Sequence, residues 1–451
     1  MARLADLRTP EARARGVRVL LDARPLQEPA RAPITAQYLD RLLRAYADEP
    51  LPGESFLLLL RLLHEDPTEA LEERGLAVAA RRKLPPTSRT FRSAGLTVDS
   101  FLLRGASIRG SADPGESGAA GSVFHTAGGA VPIAPGVPVV ATLLDLAPWE
   151  LPERYAASAA ARFGHRLRAR SLRDARRVIC CSRQTAAAAV SLLHLDPERI
   201  VVVPLAADPA FHPGAADPAT VADLRARFDL PERYLVFAGR YDARKDMATL
   251  FAALAALREE APPRGAAARQ RTGPPARQPV PESAERGVAW PPIVVLAGAG
   301  GDEHADAPAV GRAARRAGVA DIVRLTPRLD PVELAALEAA SIGHVQPSLS
   351  DGTGLAVLEA LAVGTPAICS RVGALPEIVG TAGIVVEPRD PARLATAIRA
   401  LWEDGAVAKQ VTRAAAARAA APRRTWADVA EETRRVYAAA AEGPARLPAR
   451  G

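Results

Sequence analysis

The sequence contains no long apolar run and few cysteines, and both features restrict the cellular compartment in which we expect the protein. Its longest strongly apolar stretch, residues 56–63, is interrupted by Arg61 and is far shorter than the roughly 20 residues that span a bilayer. Residues 1–16 lack the apolar segment of a secretory signal. The only cysteines are Cys180, Cys181 and Cys369. Their spacing matches neither a disulfide framework nor a metal site, so we expect a cytoplasmic protein.

Aromatic residues are also scarce, at 4% of the chain, although the net charge is +7. A basic chain can bind nucleic acids, anionic membranes or phosphorylated ligands. Few aromatic side chains leave few surfaces on which bases could stack, and no zinc-finger, RNA-recognition or helix-turn-helix motif is present. We therefore expect no nucleic-acid partner. Because almost all of the positive charge is arginine, the lysines are more informative than usual; they are Lys83, Lys245 and Lys409.

The chain is long enough for about two domains of ordinary size. Short apolar runs alternate with helical stretches rich in alanine, leucine and arginine, which is typical of βαβ units and parallel sheets. Strands are predicted at 17–23, 56–63, 139–144, 177–182, 199–204, 234–239, 292–298, 321–325, 342–348, 366–370 and 383–388. The predicted fold class is α/β, with two doubly wound, Rossmann-like domains that face each other across a cleft. Ligands are expected near the carboxyl ends of the strands.

The domain boundary is predicted between the last strand of the first half and the first strand of the second. This gives a first domain at 15–207 and a second domain at 208–424. Residues 262–290 are rich in proline, arginine and glycine and have almost no apolar periodicity. They are predicted to form a flexible surface insertion. Residues 105–122 are interpreted as a loop rich in glycine and serine.

The first candidate binding motif is the stretch 237–254, in which a strand ends in glycine and a basic turn precedes a helix. Gly239 would let a ligand approach the backbone closely. Arg240 can make fork-like contacts to phosphate oxygens, and Lys245 supplies a compact positive charge. The stretch therefore favours phosphate binding. The alternative is a solvated basic loop.

The second candidate motif is the stretch 345–370, in which a polar turn after a strand opens onto an apolar helix. The start of such a helix offers free N–H groups and a positive dipole end, which suit a phosphate. Glu359 lies on a helix that is otherwise expected to be buried, where a carboxylate needs a hydrogen-bond partner. Ribose hydroxyls would provide such a partner. The alternative is structural, with Asp351 only capping the helix and Glu359 pairing with a nearby arginine.

Three motifs together resemble the retaining glycosyltransferase family 4, also called group 1. They are G-R-x4-K, then S-D-G-x-G-L-x-x-L-E-A-L-A-x-G-T-P, then V-G-A-L-P-E-I-V at 372–379. The resemblance covers 199–403 well and the first half more weakly. Residues 425–437 are similar to the family's terminal helix, which crosses back to the first domain. The resemblance thus implies the GT-B fold, with the first domain completed by a helix at 425–440.

The resemblance also implies roles for individual residues. Arg240 and Lys245 would bind the donor diphosphate and stabilise its negative charge as it departs, without a metal or a cofactor. Asp351, which stands where the family has the first glutamate of its E-x7-E motif, would lie beside the transferred sugar, and Glu359 would hold the ribose. Gly239 would border the donor, and backbone N–H groups for phosphate or sugar would come from Thr353, Gly354 and Leu355.

The acceptor side departs from the family pattern. Where the family often has T-I-H-D-L, the sequence reads T-L-L-D-L, so Leu144 replaces the histidine and Asp145 is kept. The usual Asn-Gly after the strand at 199–204 is replaced by Leu205 and Ala206. The acceptor-side candidates are therefore Asp145 and His125, the latter after a strand-like run. His125 could equally be a packed residue.

The leading hypothesis is a metal-independent retaining hexosyltransferase. It would move a sugar, with a mannose-like hexose favoured, from a nucleoside-diphosphate donor to a glycan or lipid acceptor. The substitutions leave open an alternative, a GT-B protein that binds nucleotide or sugar without transfer; an epimerase or hydrolase on the same architecture is a third reading. The arginine-rich stretch 166–177 predicts peripheral contact with the anionic inner face of a membrane, or with the acceptor. Its structural alternative is a solvated helix face.

Overall fold

The computed structural model of the protein describes residues 16–85, 95–111, 121–239, 241–260, 290–298 and 307–442. The chain forms two compact units. The first contains the residues up to Ala206, the short segment Ser350–Thr353 and the chain from Arg424 onwards, and the second contains Ala207–Leu349 and Gly354–Arg423. Arg240 and parts of the predicted loops at 105–122 and 262–290 lie outside the described residues.

The first unit contains a seven-stranded parallel sheet in the order β3-β2-β1-β4-β5-β6-β7. Its strands are β1 (Arg18–Asp22), β2 (Ser55–Arg61), β3 (Val78–Leu84), β4 (Ser122–Ala127), β5 (Val139–Leu143), β6 (Arg177–Cys180) and β7 (Ile200–Val202). The helices are α1 (Pro33–Asp48), α2 (Glu69–Glu73), α3 (Gly95–Ser111), α4 (Ala147–Glu150), α5 (Pro152–Tyr155), α6 (Ala159–Asp174) and α7 (Arg183–Leu193). Successive side chains of β1 enter separate apolar clusters, Val19 in one and Leu20 in the other. Both faces of the sheet are therefore covered, as parallel sheets require.

The second unit contains a six-stranded parallel sheet in the order β10-β9-β8-β11-β12-β13. Its strands are β8 (Leu235–Ala238), β9 (Val294–Ala297), β10 (Val323–Thr326), β11 (Gly343–Gln346), β12 (Ala367–Ser370) and β13 (Gly383–Val386). The helices are α8 (Pro218–Phe228), α9 (Met247–Glu259), α10 (Ala307–Arg316), α11 (Pro331–Ala339), α12 (Leu355–Ala362), α13 (Leu375–Val379), α14 (Pro391–Trp402) and α15 (Ala406–Ala420). Phe237 and Val236 enter clusters on opposite faces of this sheet.

The predicted fold class is confirmed, since each unit has a parallel sheet with helices between its strands. Two strands of the first sheet were missing from the prediction. β3 reads V-A-A-R-R-K-L and lies at the sheet edge, where most of its side chains are only partly covered. Edge strands carry charge and so lack the apolar run that marks a central strand. β4 is central, but buried His125 and Thr126 interrupt its apolar pattern.

The last described helix, α16 (Trp426–Ala441), belongs to the first unit. It begins with a capping box, in which the Thr425 side chain accepts from the Asp428 N–H and Asp428 accepts from the Thr425 N–H. Its apolar face joins the cluster that contains Val19 of β1. Arg434 forms a two-pronged ion pair with the buried Glu54, at 2.9 and 2.7 Å. The end of the chain thus completes the core of the first unit. In the ranges that the structure describes, no helix has the length and apolar character needed to cross a bilayer.

A buried polar cluster ties α16 to the middle of the first sheet. The Tyr437 hydroxyl lies 2.7 Å from His125 Nδ1, and His125 Nε2 lies 2.9 Å from Thr142 Oγ1. Tyr38 from α1 reaches the same threonine at 3.2 Å. The His125 side chain is wholly buried, so both ring nitrogens are used within the core. We expected His125 on the acceptor side; the structure places it in the core because β4 is a central strand covered on both faces.

Replacing Tyr437 with phenylalanine is expected to lower the free energy of unfolding of the first unit by about 1–3 kcal/mol, because His125 Nδ1 would remain buried without a partner. Urea unfolding followed by circular dichroism measures this loss. Tyr241→Phe is the matched control, since the buried Tyr241 hydroxyl has no hydrogen-bond partner among the described residues. Its removal should not lower the stability, because no hydrogen bond among the described residues is lost. Equal losses in the two variants would contradict the assignment.

The stability of the first unit is also expected to fall with acidity. Burial lowers the pKa of His125 from 6.5 to about 3, so that below about pH 6.5 only the unfolded chain binds this proton. The unfolded state is then favoured progressively as the pH drops towards 3. His125→Gln cannot bind the proton, and its loss between neutral pH and about pH 4 should be smaller by on the order of 3 kcal/mol. Urea unfolding at a series of pH values tests this, and parallel curves for the two proteins would refute it.

Candidate functional site

The second sheet reverses its winding between two neighbouring strands. From β8 the chain proceeds through β9 to β10 on one side, and from β11 through β12 to β13 on the other. β8 and β11 are paired in parallel, with Gly343 beside Leu235. Both candidate binding motifs follow these two strands directly. They therefore start at the carboxyl edge of the topological switch point, where doubly wound sheets bind their ligands.

The first motif forms a tight turn that directs Lys245 back towards the strand end. Residues Ala243–Lys245 make one turn of 3-10 helix, which Asp242 stabilises by accepting from the Arg244 N–H at 3.2 Å and from Arg244 Nε at 2.9 Å. Lys245 is only 5% exposed. Its Cε lies 3.9 Å from the place that a Cβ on Gly239 would occupy, and Gly239 has a φ of +139° that side chains disfavour. The position next to the lysine side chain therefore favours glycine through its backbone conformation. Arg240, the second predicted cation, lies outside the described residues.

One backbone hydrogen bond joins the two motifs. The Leu349 N–H, just after β11, donates to the Arg244 carbonyl over 2.6 Å. This bond fixes the lysine turn against the loop that leads towards α12. The structure therefore brings the Lys245 turn and the second motif together, although about one hundred residues separate them in the sequence.

The cap residue of α12 is a glycine. Gly354 caps the helix with a φ of +58°, and among the described residues no side chain caps it by a hydrogen bond. A Cβ on Gly354 would lie 2.4 Å from Ile378 Cδ1, so only glycine fits without a shift of that side chain. Leu355 and Glu359 are buried on the helix, with Glu359 8% exposed. The N–H groups and the positive dipole end at this terminus suit an anion.

The turn Ser350–Thr353, which precedes this cap, groups with the first unit. The Gly352 carbonyl accepts a hydrogen bond from Thr185 Oγ1 at 2.9 Å. A Cβ on Gly352 would lie only 2.4 Å from the Leu144 carbonyl oxygen, so this approach also requires glycine. Asp351 and Thr353 are both buried in this turn. Asp351 therefore lies near the end of β5, in the same part of the first unit as Leu144.

Three carboxylates come together beside this turn. The Ser350 hydroxyl donates to Glu150. Burial raises the pKa of Glu150; the hydrogen bond from Ser350 opposes the shift, while the negative charges of Asp145 and Asp351 add to it. Asp145 also accepts from the Ala147 N–H at 3.2 Å and so holds the start of α4. Glu150 was not among the predicted site residues, because an acid five residues after Asp145 has no sequence signal that separates it from a surface acid.

Leu144 is a core residue. It stands where the family pattern has a histidine, it is 2% exposed, and it packs in the cluster that contains Val19. The polar contact that a histidine could make to a ligand has no counterpart at this position. In the part of the chain that the structure describes, no three histidine, cysteine, aspartate or glutamate side chains are grouped so that they could hold a metal ion.

Comparison with known proteins gives two family matches. A model described as "Glycosyl transferases group 1" matches residues 232–404, and a model described as "Glycosyltransferase Family 4" matches residues 119–211. Together the two ranges take in more than half of the chain. The first of them spans the second sheet and both candidate motifs.

A D-inositol 3-phosphate glycosyltransferase from Streptomyces scabiei is 31% identical over 291 residues, which are 62% of this chain and 57% of that protein. The chain spans about half the length of the curated relatives it matches.

Two solved structures are similar in fold. HepE from Anabaena, determined in complex with UDP and glucose, has a TM-score of 0.60 at 16% identity, over 92% of this chain and 97% of its own. Sucrose-phosphate synthase from Thermosynechococcus elongatus has a TM-score of 0.59 at 20% identity, over 90% and 94%. The two parallel sheets, the motifs at the switch point and the family matches agree. The chain belongs to glycosyltransferase family 4, within the group 1 glycosyltransferases, and has the GT-B fold.

Proposed function

We propose that the protein is a glycosyltransferase that uses a nucleoside-diphosphate sugar as its donor. The observation that carries the proposal is the hydrogen bond between Leu349 and Arg244, because it holds a buried lysine turn against the loop that leads to the start of α12. The Lys245 ammonium and the N–H groups at the start of α12 form a positive surface at the strand ends. A diphosphate has the charge and the oxygen acceptors that such a surface binds.

The same groups supply the proposed chemistry. As the bond between the sugar and the diphosphate breaks, negative charge develops on the leaving diphosphate, and fixed positive groups stabilise that charge more than the neutral bond. Lys245 would act in this way together with Arg240. Glu359 would accept hydrogen bonds from the ribose hydroxyls, and Asp351 would lie beside the sugar. Transfer would need no metal and would retain the anomeric configuration, as the family resemblance implies.

The donor and acceptor are proposed from chemistry and from the relatives. HepE, determined with UDP and glucose, makes UDP-glucose a natural donor to test alongside the mannose-like donor suggested by the sequence. The Streptomyces relative is named for D-inositol 3-phosphate, which is a polyhydroxylated phosphate. We therefore add it to glycans and lipids as a candidate acceptor. Glu150, whose pKa is raised by burial, places a second carboxyl group near Asp351. This group would contact sugar hydroxyls.

A second candidate function is nucleotide or sugar binding without transfer. The burial of Leu144 in the core favours it, because that position lacks the polar side chain typical of the family. Product formation separates the two candidates. A panel of UDP-glucose and GDP-mannose with inositol phosphate, glycan and lipid acceptors should yield a transferred sugar if the enzyme is active. Nucleotide binding without product across the panel would support the second function.

Lys245→Ala is expected to weaken the binding of UDP or GDP by about tenfold or more, because one charge-assisted hydrogen bond to phosphate contributes about 1.5–3 kcal/mol. Calorimetric titration of the full chain measures the affinity, and a thermal-shift panel of nucleoside diphosphates identifies the base. Lys409→Ala is the matched control, since Lys409 is exposed on α15. If Lys245→Ala and Lys409→Ala bind nucleotide equally well, the site assignment fails.

We also propose peripheral contact with an anionic membrane through the first unit. On α6, exposed arginines recur at spacings of four, four and three residues, which places them along one helix face. They are Arg162, Arg166, Arg170 and Arg173. Phe163 beside them is 57% exposed, and on α3 Phe101 is 55% exposed. The two helices are neighbours, because a Cβ on Gly164 would lie 3.3 Å from Leu96 Cβ. Arginine with exposed phenylalanine suits an anionic lipid surface.

The double variant Arg166→Ala/Arg170→Ala is expected to bind vesicles of phosphatidylserine and phosphatidylcholine roughly thirtyfold more weakly, because each basic residue near an anionic surface contributes about 1 kcal/mol. Co-sedimentation with the vesicles measures the partition. Lys409→Ala/Arg413→Ala removes the same charge at the same spacing from α15 and should retain binding. Equal binding by the two double variants, or equal binding to pure phosphatidylcholine, would contradict the proposal.

A further inference from the structure

The strand β11 carries polar side chains where a central strand normally carries apolar ones. His344 and Gln346 are both fully buried. Side chains alternate along a strand, so these two lie on the same face. Beside His344 the neighbouring strands carry the buried apolar residues Val236 and Ala367. This polar face therefore needs an explanation of its own.

The polar groups form one hydrogen-bonded chain. Glu338, near the end of α11 and 1% exposed, places Oε1 2.8 Å from His344 Nδ1. His344 Nε2 lies 3.2 Å from Gln346 Oε1, and Gln346 Nε2 donates to Ser348 Oγ over 3.1 Å. Ser348 is followed directly by Leu349, the residue bonded to the Arg244 carbonyl. The chain of contacts thus runs from α11 to the hydrogen bond that joins the two motifs of the donor site.

The packing of the core does not explain why these polar side chains are hydrogen-bonded in series. The second carboxylate oxygen of Glu338, Oε2, is buried and has no hydrogen-bond partner among the described residues. A buried carboxylate oxygen without a partner destabilises a fold, and well-packed apolar side chains of similar volume would avoid that loss. A role in the conformation of the loop beyond β11 explains the arrangement better than stability does.

The hydrogen bonds of this series link the loop after β11 to Glu338. His344 Nδ1 faces the Glu338 carboxylate, so this contact orients the imidazole ring. The other ring nitrogen faces the side-chain amide of Gln346, and that amide donates to Ser348. A change at the Glu338 carboxylate is therefore passed through the ring and the amide to the serine.

We propose that Glu338 and His344 are positioning residues for the donor site. Through Gln346 and Ser348 they hold the start of the loop after β11, and so they hold the Leu349 N–H against the Lys245 turn. The inference rests on the proposed function, because it assigns this loop to the nucleotide sugar. Neither residue is expected to touch the ligand, and each acts through the groups that follow it in the chain of hydrogen bonds.

Glu338→Gln tests the proposal, since it keeps the volume and an oxygen acceptor but removes the charge. We expect the hydrogen exchange of the Leu349 amide to become about tenfold faster and the affinity for UDP or GDP to fall about tenfold, the size of one lost hydrogen bond. Nitrogen NMR of His344 should show that the chemical shifts of the ring nitrogens differ between the unaltered protein and the variant, because the Nδ1 contact has changed. Thr365→Val is the matched control, because Thr365 Oγ1 donates to the Glu338 backbone carbonyl at 2.8 Å. It should lower the melting temperature but leave the Leu349 amide, the His344 ring and nucleotide affinity unchanged.

The outcomes separate this proposal from the proposed function. If Glu338→Gln leaves the exchange of the Leu349 amide and the His344 ring unchanged, the positioning role is wrong, whatever the protein binds. If both variants change the Leu349 amide equally, the effect is general destabilisation and the proposal is again overturned. If the unaltered protein binds no nucleoside diphosphate while the ring and amide respond as expected, the proposed function fails and the mechanical link stands.

Discussion

The candidate donor site depends on a backbone contact, the hydrogen bond from the Leu349 N–H to the Arg244 carbonyl. It joins loops that follow the two strands at the switch point of the second sheet. Without it, the buried lysine and the start of α12 would be separate features of two neighbouring loops. With it, the Lys245 turn has a fixed position against the loop that leads to α12, as the proposed stabilisation of a developing charge requires.

Glycines make the close approaches around this site possible. Gly239, beside the Lys245 side chain, adopts a positive φ that other residues disfavour, and Gly354 adopts a left-handed conformation at the start of α12. In the first unit, Gly352 lets the turn Ser350–Thr353 lie against the Leu144 carbonyl. This last contact places Asp351 in the region where Glu150 and Asp145 form the carboxylate cluster. The distribution of charge is therefore positive at the strand ends of the second unit and negative beside the turn in the first.

Sequence reasoning succeeded where apolar residues mark a strand. All six strands of the second sheet were predicted, because apolar residues mark them even where polar ones intervene, as in β11. The edge strand β3 was not predicted, because its arginines and lysine interrupt the apolar pattern that marks a strand. His125 was considered for the acceptor side on its residue type, yet it is a core residue bonded to Tyr437 from the opposite end of the chain. The roles of Lys245, Asp351 and Glu359 as ligand contacts stay predictions, as does that of Arg240.

The sequence by itself determined the fold class, the family resemblance and the two motifs, because these depend on local periodicity and on residue types at fixed spacing. Tertiary structure alone decided which distant residues meet. No local pattern shows that Ser350 donates to Glu150 or that Leu349 bonds to Arg244. Such contacts arise from the order of the strands in the parallel sheets, which brings together residues that are a hundred or more positions apart in the chain.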